Sequence, residues 1–344
     1  MTRPTALMCF VIALVTAQVH AGYEPSAEAG KREVLTLLAD WKDSKRSDRV
    51  VPVKVYYPKG SEACATIIFS HGLGGTREGY KYVGEYWASH GFVSVHLQHE
   101  GSDDAVWKDA KPLERMAAMK KAASDPRAAL DRPRDVSFAI DMLEKLNKDE
   151  QSPLHKRIDL TKLGMSGHSF GGWTTLAVGG QTFIGAGRSA GGASLGDNRI
   201  KAMIPMSAPP GKDSAKYADN FKSIKIPGLH MTGTLDESPI TTTTPEERTK
   251  PFENTPGPKD GGKDQYLINF EGGDHAIFSG ATLGRVRGGK GDPKKDPTFH
   301  KLIKQSTLAF WDAYLRDNTE AKQWLQDGGL KSALGNDAKL EMKK

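Results

Sequence analysis

Three pentapeptides of the form Gly-x-Ser-x-Gly occur in the 344-residue sequence: Gly167-His168-Ser169-Phe170-Gly171, Gly187-Arg188-Ser189-Ala190-Gly191 and Gly192-Ala193-Ser194-Leu195-Gly196. This spacing can set a serine on a tight strand-to-helix turn, where flanking glycines let the backbone bend and a substrate approach. The chemistry it serves is attack of the hydroxyl on an acyl carbon. A chain with 37 glycines meets the pattern by chance, so context must choose. Ser169 follows the run Lys162-Leu163-Gly164-Met165-Ser166, which reads as a strand. It precedes Phe170-Gly171-Gly172-Trp173-Thr174-Thr175-Leu176-Ala177-Val178, which reads as a helix with its N-terminal dipole beneath a nascent oxyanion. Ser189 and Ser194 lie in glycine-rich sequence that supports neither element and are read as loop.

A serine hydroxyl needs a general base, and the base needs a carboxylate to hold its tautomer. Where this turn is used, the partners follow in the order serine, acid, histidine. His230, His275 and His300 come after Ser169. His230 falls within an expected strand and His300 within an expected helix. His275 closes Glu271-Gly272-Gly273-Asp274-His275, a glycine turn at a strand's C-terminal end, where ligands gather in open α/β sheets. It is the expected base. The expected acid is Asp236, after the buried-strand pattern Pro227-Gly228-Leu229-His230-Met231-Thr232-Gly233-Thr234-Leu235, with Asp213 the competitor and Glu237 a weaker one. Asp274 reads as a turn former, because Asx side chains bond their own backbone in turns.

Charge that builds on an acyl oxygen calls for two backbone N–H donors. One belongs to the residue after the nucleophile, Phe170. The other is expected from Leu73 in the loop Ser70-His71-Gly72-Leu73-Gly74-Gly75-Thr76.

These residues require a sheet to carry them. Runs rich in Val, Ile and Leu mark eight strands, near residues 34–41, 50–57, 66–70, 92–97, 162–166, 200–207, 228–232 and 266–270. Helical stretches separate them from the third onward, the pattern of a mostly parallel α/β sheet with helices on both faces. The link between the first two is too short for a crossover, so the second strand runs antiparallel to the first. Helices are expected at 78–89, 134–146, 170–178 and 298–315. In the last, Phe299, Leu302, Ile303, Phe310 and Leu315 recur at helical spacing toward the core. Residues 101–130 and 240–263 read as long loop insertions in one domain spanning 22–344.

Residues 1–21 carry Arg3, an apolar stretch and Val19-His20-Ala21, the plan of a cleaved export leader; the apolar run is too short to span a bilayer. Cys9 lies inside that leader and leaves Cys64 without a disulfide partner, a small packing residue. The formal net charge of +6 comes from scattered lysines and arginines, with a local excess at 285–295 and at the C-terminus. Solvated loops account for it better than a nucleic-acid surface does. Gly284-Arg285-Val286-Arg287-Gly288-Gly289-Lys290 imitates a phosphate loop, but Gly291 stands where Ser or Thr is needed. No His/Cys/Asp cluster has metal-ligand spacing, so no cofactor is expected. His96, His99 and Glu100 follow the fourth strand closely enough to border a pocket or to serve as structural hydrogen-bonding groups.

The stretches Ile67-Ile68-Phe69-Ser70-His71-Gly72-Leu73-Gly74-Gly75, Ala88-Ser89-His90-Gly91-Phe92-Val93 and Gly167-His168-Ser169-Phe170-Gly171-Gly172 together resemble the platelet-activating-factor acetylhydrolase and dienelactone-hydrolase-like branch of the α/β hydrolases. The resemblance runs from the third strand to Phe310-Trp311-Asp312-Ala313-Tyr314-Leu315. It implies the α/β-hydrolase fold, an oxyanion hole at the counterparts of Leu73 and Phe170, and a serine hydrolase acting on a small-molecule, lipid or polymeric ester. Two departures limit it. The plasma acetylhydrolase type carries its acid after the sixth strand, where this chain has Met206-Ser207-Ala208, and true dienelactone hydrolases use cysteine where this chain has Ser169. A serine peptidase on the same triad, and a non-catalytic binding protein of this fold, are the competing readings. The first usually brings a propeller domain for which the chain has no room. The second would be expected to have lost part of the Ser169, Asp236, His275 set.

Overall fold

A computed structural model describes residues 22–183, 193–211, 214–280 and 289–344. The chain alternates strands and helices: β1 (Val34–Asp43), β2 (Arg49–Pro58), β3 (Cys64–Ser70), α1 (Lys81–Ser89), β4 (Val93–Leu97), α2 (Arg115–Ala123), α3 (Pro126–Lys148), β5 (Ile158–His168) and α4 (Phe170–Val178). It continues with β6 (Thr182–Phe183), β7 (Ala193–Ser194), β8 (Ile200–Met206), α5 (Tyr217–Phe221), β9 (Gly228–Leu235), α6 (Lys250–Asn254), β10 (Gln265–Asp274), α7 (Asp296–Leu315), α8 (Thr319–Gln326), α9 (Gly329–Leu334) and β11 (Ala338–Lys343).

Nine strands form one sheet in the order β1-β2-β4-β3-β5-β8-β9-β10-β11. From β4 to β10 neighbours run parallel; β1–β2, β2–β4 and β10–β11 are antiparallel. β3 is buried along its whole length and serves both faces. Ile67 and Phe69 join Trp87 of α1 and Phe299, Phe310 and Trp311 of α7, while Ile68 joins Val136, Ile140 and Leu143 of α3. That alternation follows from the two-residue period of a strand. It explains why the run reads as continuously apolar in sequence.

After β3 the chain turns one way, to β4, and β5 returns on the other side of β3. The ends of β3 and β5 therefore flank a topological switch point, the crevice that open α/β sheets use for ligands. Ser70 closes β3 and His168 closes β5, which delivers the 71–76 loop and Ser169 to the same crevice.

The eight expected strands all form in the main sheet, and the ninth strand of that sheet was missed, as was the short β6–β7 pair. β11 pairs with β10 from Phe270↔Ala338 to Gln265↔Lys343, in a stretch read only as a solvated loop with an excess of basic residues. Ser194, expected in a loop, lies in β7, which pairs antiparallel with β6; no helix follows it. The two insertions are not bare loops. Residues 101–130 contain α2 and the start of α3, capped by the Asp125 side chain on the Arg127 amide, and residues 240–263 contain α6. The leader (1–21), Ser189, Asp213 and residues 284–288 of the phosphate-loop imitation lie outside the described residues. No described helix is long and apolar enough to cross a membrane. Cys64 is buried at the start of β3, and burial raises its thiol above the ordinary value.

Candidate active site

β5 ends at His168, and the next residue has φ 57° and ψ −115°, a conformation that side-chain-bearing residues rarely adopt. That residue is Ser169. Its amide donates to Met206 O at 2.9 Å, and α4 starts at once with Phe170. The turn has room for hydrogen only at Gly171, where an added Cβ would lie 1.8 Å from Ser70 O. The obstacle is backbone and cannot rotate away. Gly171→Ala is therefore expected to cost at least the ~1–3 kcal/mol typical of overpacking and to separate the β3 and β5 ends. Its thermal midpoint and its ester-hydrolysis rate would both fall.

His275 follows β10 and opens a short 3-10 turn whose N-cap is Asp274. Asp274 accepts from the amides of Ala276 and Gly291, each at 3.0 Å, the turn-forming role read from sequence. The His275 ring places Nε2 3.0 Å from Ser169 Oγ and Nδ1 2.7 Å from Asp236 Oδ1. Asp236, just past β9, is fully buried. Thr232 donates to its Oδ2 at 2.8 Å, and the Ser207 hydroxyl donates to the same oxygen. Burial alone would raise this carboxyl. The neighbouring Arg248 guanidinium, His275 and the Ser207 hydrogen bond outweigh burial and hold it well below the usual carboxylate range. An ionised Asp236 accepts a hydrogen bond from His275 Nδ1–H, so Nε2 is left as the acceptor facing Ser169.

Sequence reasoning missed two members of this cluster. Ser207, itself at φ 54°, follows β8, and its Oγ stands 2.9 Å from His275 Nδ1. Arg248, 4 % exposed, donates from Nε to Asp236 O at 3.2 Å, binds Ser207 O through Nη1 and sits 3.2 Å from Asp236 Oδ1. Only the loop's closure over the site brings Arg248 to Asp236, so no local pattern announced it. Ser207 lies in the Met206-Ser207-Ala208 stretch noted for having no carboxylate; its hydroxyl instead holds the carboxylate that β9 supplies.

Leu73 and Phe170 border one cavity of about 550 Å³ with Ser169 and His275. Neither amide donates to an acceptor among the described residues. The Leu73 loop lies close against Ser169, since a Cβ on Gly72 would stand 3.5 Å from Ser169 Cβ. Tyr80 ties it there: its hydroxyl accepts from the Gly72 amide at 3.2 Å and meets His168 Nδ1 at 2.8 Å. The first insertion docks on the same loop. Trp107 Nε1 donates to Gly74 O at 2.8 Å, and the Gly74 amide donates to Ser102 O at 2.9 Å. Ala123, Pro126 and Ala129 from that insertion form one wall of the cavity, and Ile240 to Thr243 from the second form another.

The other sequence candidates fall elsewhere. Glu237 is exposed and paired with Lys290 at 2.6 Å. His230 is buried in β9 against Gln265 and pushed down to about 4 by burial; His300 is buried in α7. His96 is stacked on Phe69 inside the sheet, His99 is fully buried, and Glu100 faces Arg49 at the surface, so none of the three borders this cavity. No group of His, Cys, Asp and Glu that could hold a metal is found among the described residues.

The family described as "Platelet-activating factor acetylhydrolase, isoform II" matches residues 57–184, the stretch that runs from β2 through β3, the Leu73 loop and the Ser169 turn. The chain has the fold of the α/β hydrolases. It is 25 % identical over 206 residues to Cutinase 2 of Thermobifida cellulosilytica, covering 58 % of this chain and 57 % of the relative. It is 26 % identical over 226 residues to Cutinase est2 of Thermobifida alba, covering 64 % and 56 %. It is also 26 % identical over 308 residues to the platelet-activating factor acetylhydrolase of Cavia porcellus, covering 80 % and 63 %. The chain spans about half the length of the curated relatives it matches.

Proposed function

We propose that this chain is an exported serine hydrolase that cleaves carboxylic esters through an acyl-enzyme on Ser169. The observation that carries the reading is the unbroken line Ser169 Oγ, His275 Nε2, His275 Nδ1, Asp236 Oδ1, with steps of 3.0 and 2.7 Å between side chains, at the edge of an open cavity. His275 takes the Ser169 proton as Oγ attacks the ester carbon, and the carbonyl oxygen, now negative, turns toward the Leu73 and Phe170 amides. Collapse expels the alcohol with the proton from His275. Water, activated by the same ring, then releases the acid. None of these steps calls for a cofactor. The names of the relatives, cutinases and an acetylhydrolase, support ester cleavage, and the apolar wall at Leu73, Phe170 and Trp173 fits an acyl or alkyl group.

A fluorophosphonate probe tests the reading directly. Folded protein is expected to be labelled at Ser169 in proportion to loss of nitrophenyl-ester hydrolysis, and heat-unfolded protein not at all. Labelling absent from the folded protein would remove the enzyme reading. Export rests on the leader-like residues 1–21, and sequencing the secreted protein's N-terminus is expected to give Gly22.

A further inference from the structure

The two amides assigned to the oxyanion belong to different parts of the chain, Leu73 to the loop after β3 and Phe170 to the first turn of α4. Their separation must be held to a fraction of an ångström for both to reach one oxygen. One side chain touches both parts. Arg132, in α3 and fully buried, binds His71 O and donates to Ser70 Oγ at 3.1 Å through Nη2 on the Leu73 side. On the α4 side its Nε donates to Thr174 Oγ1 at 3.2 Å, and its guanidinium lies 4.5 Å from the centre of the Phe170 ring. Nη1 donates to Ser102 Oγ at 3.1 Å in the insertion whose carbonyl holds the Gly74 amide.

We propose that Arg132 is the positioning residue of the oxyanion hole: it clamps the Leu73 loop to the nucleophile helix and places a fixed positive charge behind both donors. A buried guanidinium normally faces a carboxylate. Among the described residues no carboxylate lies within ion-pair distance of Arg132, and its acceptors are neutral oxygens and a ring face. The compensating charge stands one relay away. Ser70 Oγ accepts from Arg132 and so donates its own O–H hydrogen bond to His99 Nε2 at 2.9 Å, and His99 Nδ1–H then donates to Asp135 Oδ2 at 3.0 Å. Arg46 and Arg49 hold Asp135 from its other side, at 2.7 and 2.8 Å. Ser70, His99 and Asp135 repeat the Ser-His-Asp order of the candidate triad, yet all three are 0 % exposed, so no substrate reaches Ser70. The relay serves the cation instead. Burial pushes the Arg132 guanidinium down to about 9, which leaves it charged at neutral pH, and pushes His99 down to about 4, which leaves it neutral. A positive charge so placed touches no carboxylate directly among the described residues of the resting site and gains a further counter-charge when the oxyanion forms, which favours the transition state over bound substrate.

The test compares wild type, Arg132→Lys and Arg132→Met by kcat and KM on a nitrophenyl ester and by affinity for an aryl trifluoromethyl ketone. Ser169 Oγ adds to the ketone carbon, the hydroxyl proton passes to His275, and the ketone oxygen becomes an alkoxide where the reaction's oxyanion forms. Arg132→Met is expected to lower kcat by about 100-fold, with KM changed by less than about two-fold. Ketone affinity is expected to fall by the same factor as kcat, and Arg132→Lys to recover part of both. Folded Arg132→Met with wild-type ketone affinity overturns the proposal, whatever happens to kcat. Should Arg132→Met not fold, Thr174→Val and Ser102→Ala each delete one polar contact and are expected to weaken ketone binding by about 2- to 10-fold; wild-type affinity in both is equally fatal. The inference rests on the proposed role of Ser169, and the two failures differ. Full activity in Ser169→Ala removes that role, whereas an inactive Ser169→Ala beside a fully active Arg132→Met removes only the clamp.

Discussion

Ser169→Ala is expected to fold and to lose about 10⁶-fold in kcat on a nitrophenyl ester, the scale seen when a serine nucleophile is removed from such a site. Fluorophosphonate labelling should vanish with it. A second substitution at the same position separates catalysis from stability. Ser169 has φ 57° and ψ −115°, a region that costs a side-chain-bearing residue of order 1–3 kcal/mol. Alanine keeps a Cβ and keeps that strain; glycine removes it. Ser169→Gly is accordingly expected to be inactive and yet more stable than Ser169→Ala by about 1 kcal/mol. Thermal unfolding of the two variants decides it. Equal midpoints would mean that the turn stores no strain.

Asp236→Asn is expected to lower kcat by about 10⁴-fold, because an amide can hold His275 in the wrong tautomer. The stability effect is equally informative. The substitution leaves Arg248, 4 % exposed, without its carboxylate, and breaking a buried pair from one side costs about 3–5 kcal/mol. Asp236→Asn combined with Arg248→Met is expected to recover much of that loss in stability and none of the activity. A double variant no more stable than Asp236→Asn would show that Arg248 is held by something other than Asp236. The pH dependence has a definite sign. The folded carboxyl lies below its unfolded value of about 3.9, so its stabilisation is complete above that pH and is lost as pH falls through the depressed folded value. The gap between wild type and Asp236→Asn should therefore narrow in acid. Urea midpoints measured between neutral pH and the acid limb test this.

Ser169 was legible because one short segment carries its strand, its glycines and its helix, all local signals. Chain order and two glycine turns then pointed to His275 and Asp236. What stayed hidden was tertiary. Ser207, Arg248 and Tyr80 each reach the cluster from a different loop or turn, and nothing in their neighbouring residues encodes the meeting. The helix α2 was hidden for another reason. Its alanine-rich sequence has good helix propensity, but none of its residues is buried, so it lacks the apolar stripe by which a packed helix is recognised. β11 was masked by its charges: Lys339, Glu341 and Lys343 alternate with Ala338, Leu340 and Met342, a two-residue period that reads as a solvated basic loop when charges are only counted.

Those same charges bear on how molecules of this protein meet one another. Without β11, the outer side of β10 would offer a row of free backbone donors and acceptors beside the His275 turn, a template on which a foreign strand could grow. β11 occupies that row and becomes the margin itself, with Lys339 and Glu341 exposed along it. At the opposite margin β1 exposes Leu38 at 53 %, set between Thr36 and Asp40. A stranger approaching either side must strip water from charged or polar groups before any backbone pairing begins, so resistance to edge-to-edge association is vested in a few ordinary-looking residues at the two margins of the sheet.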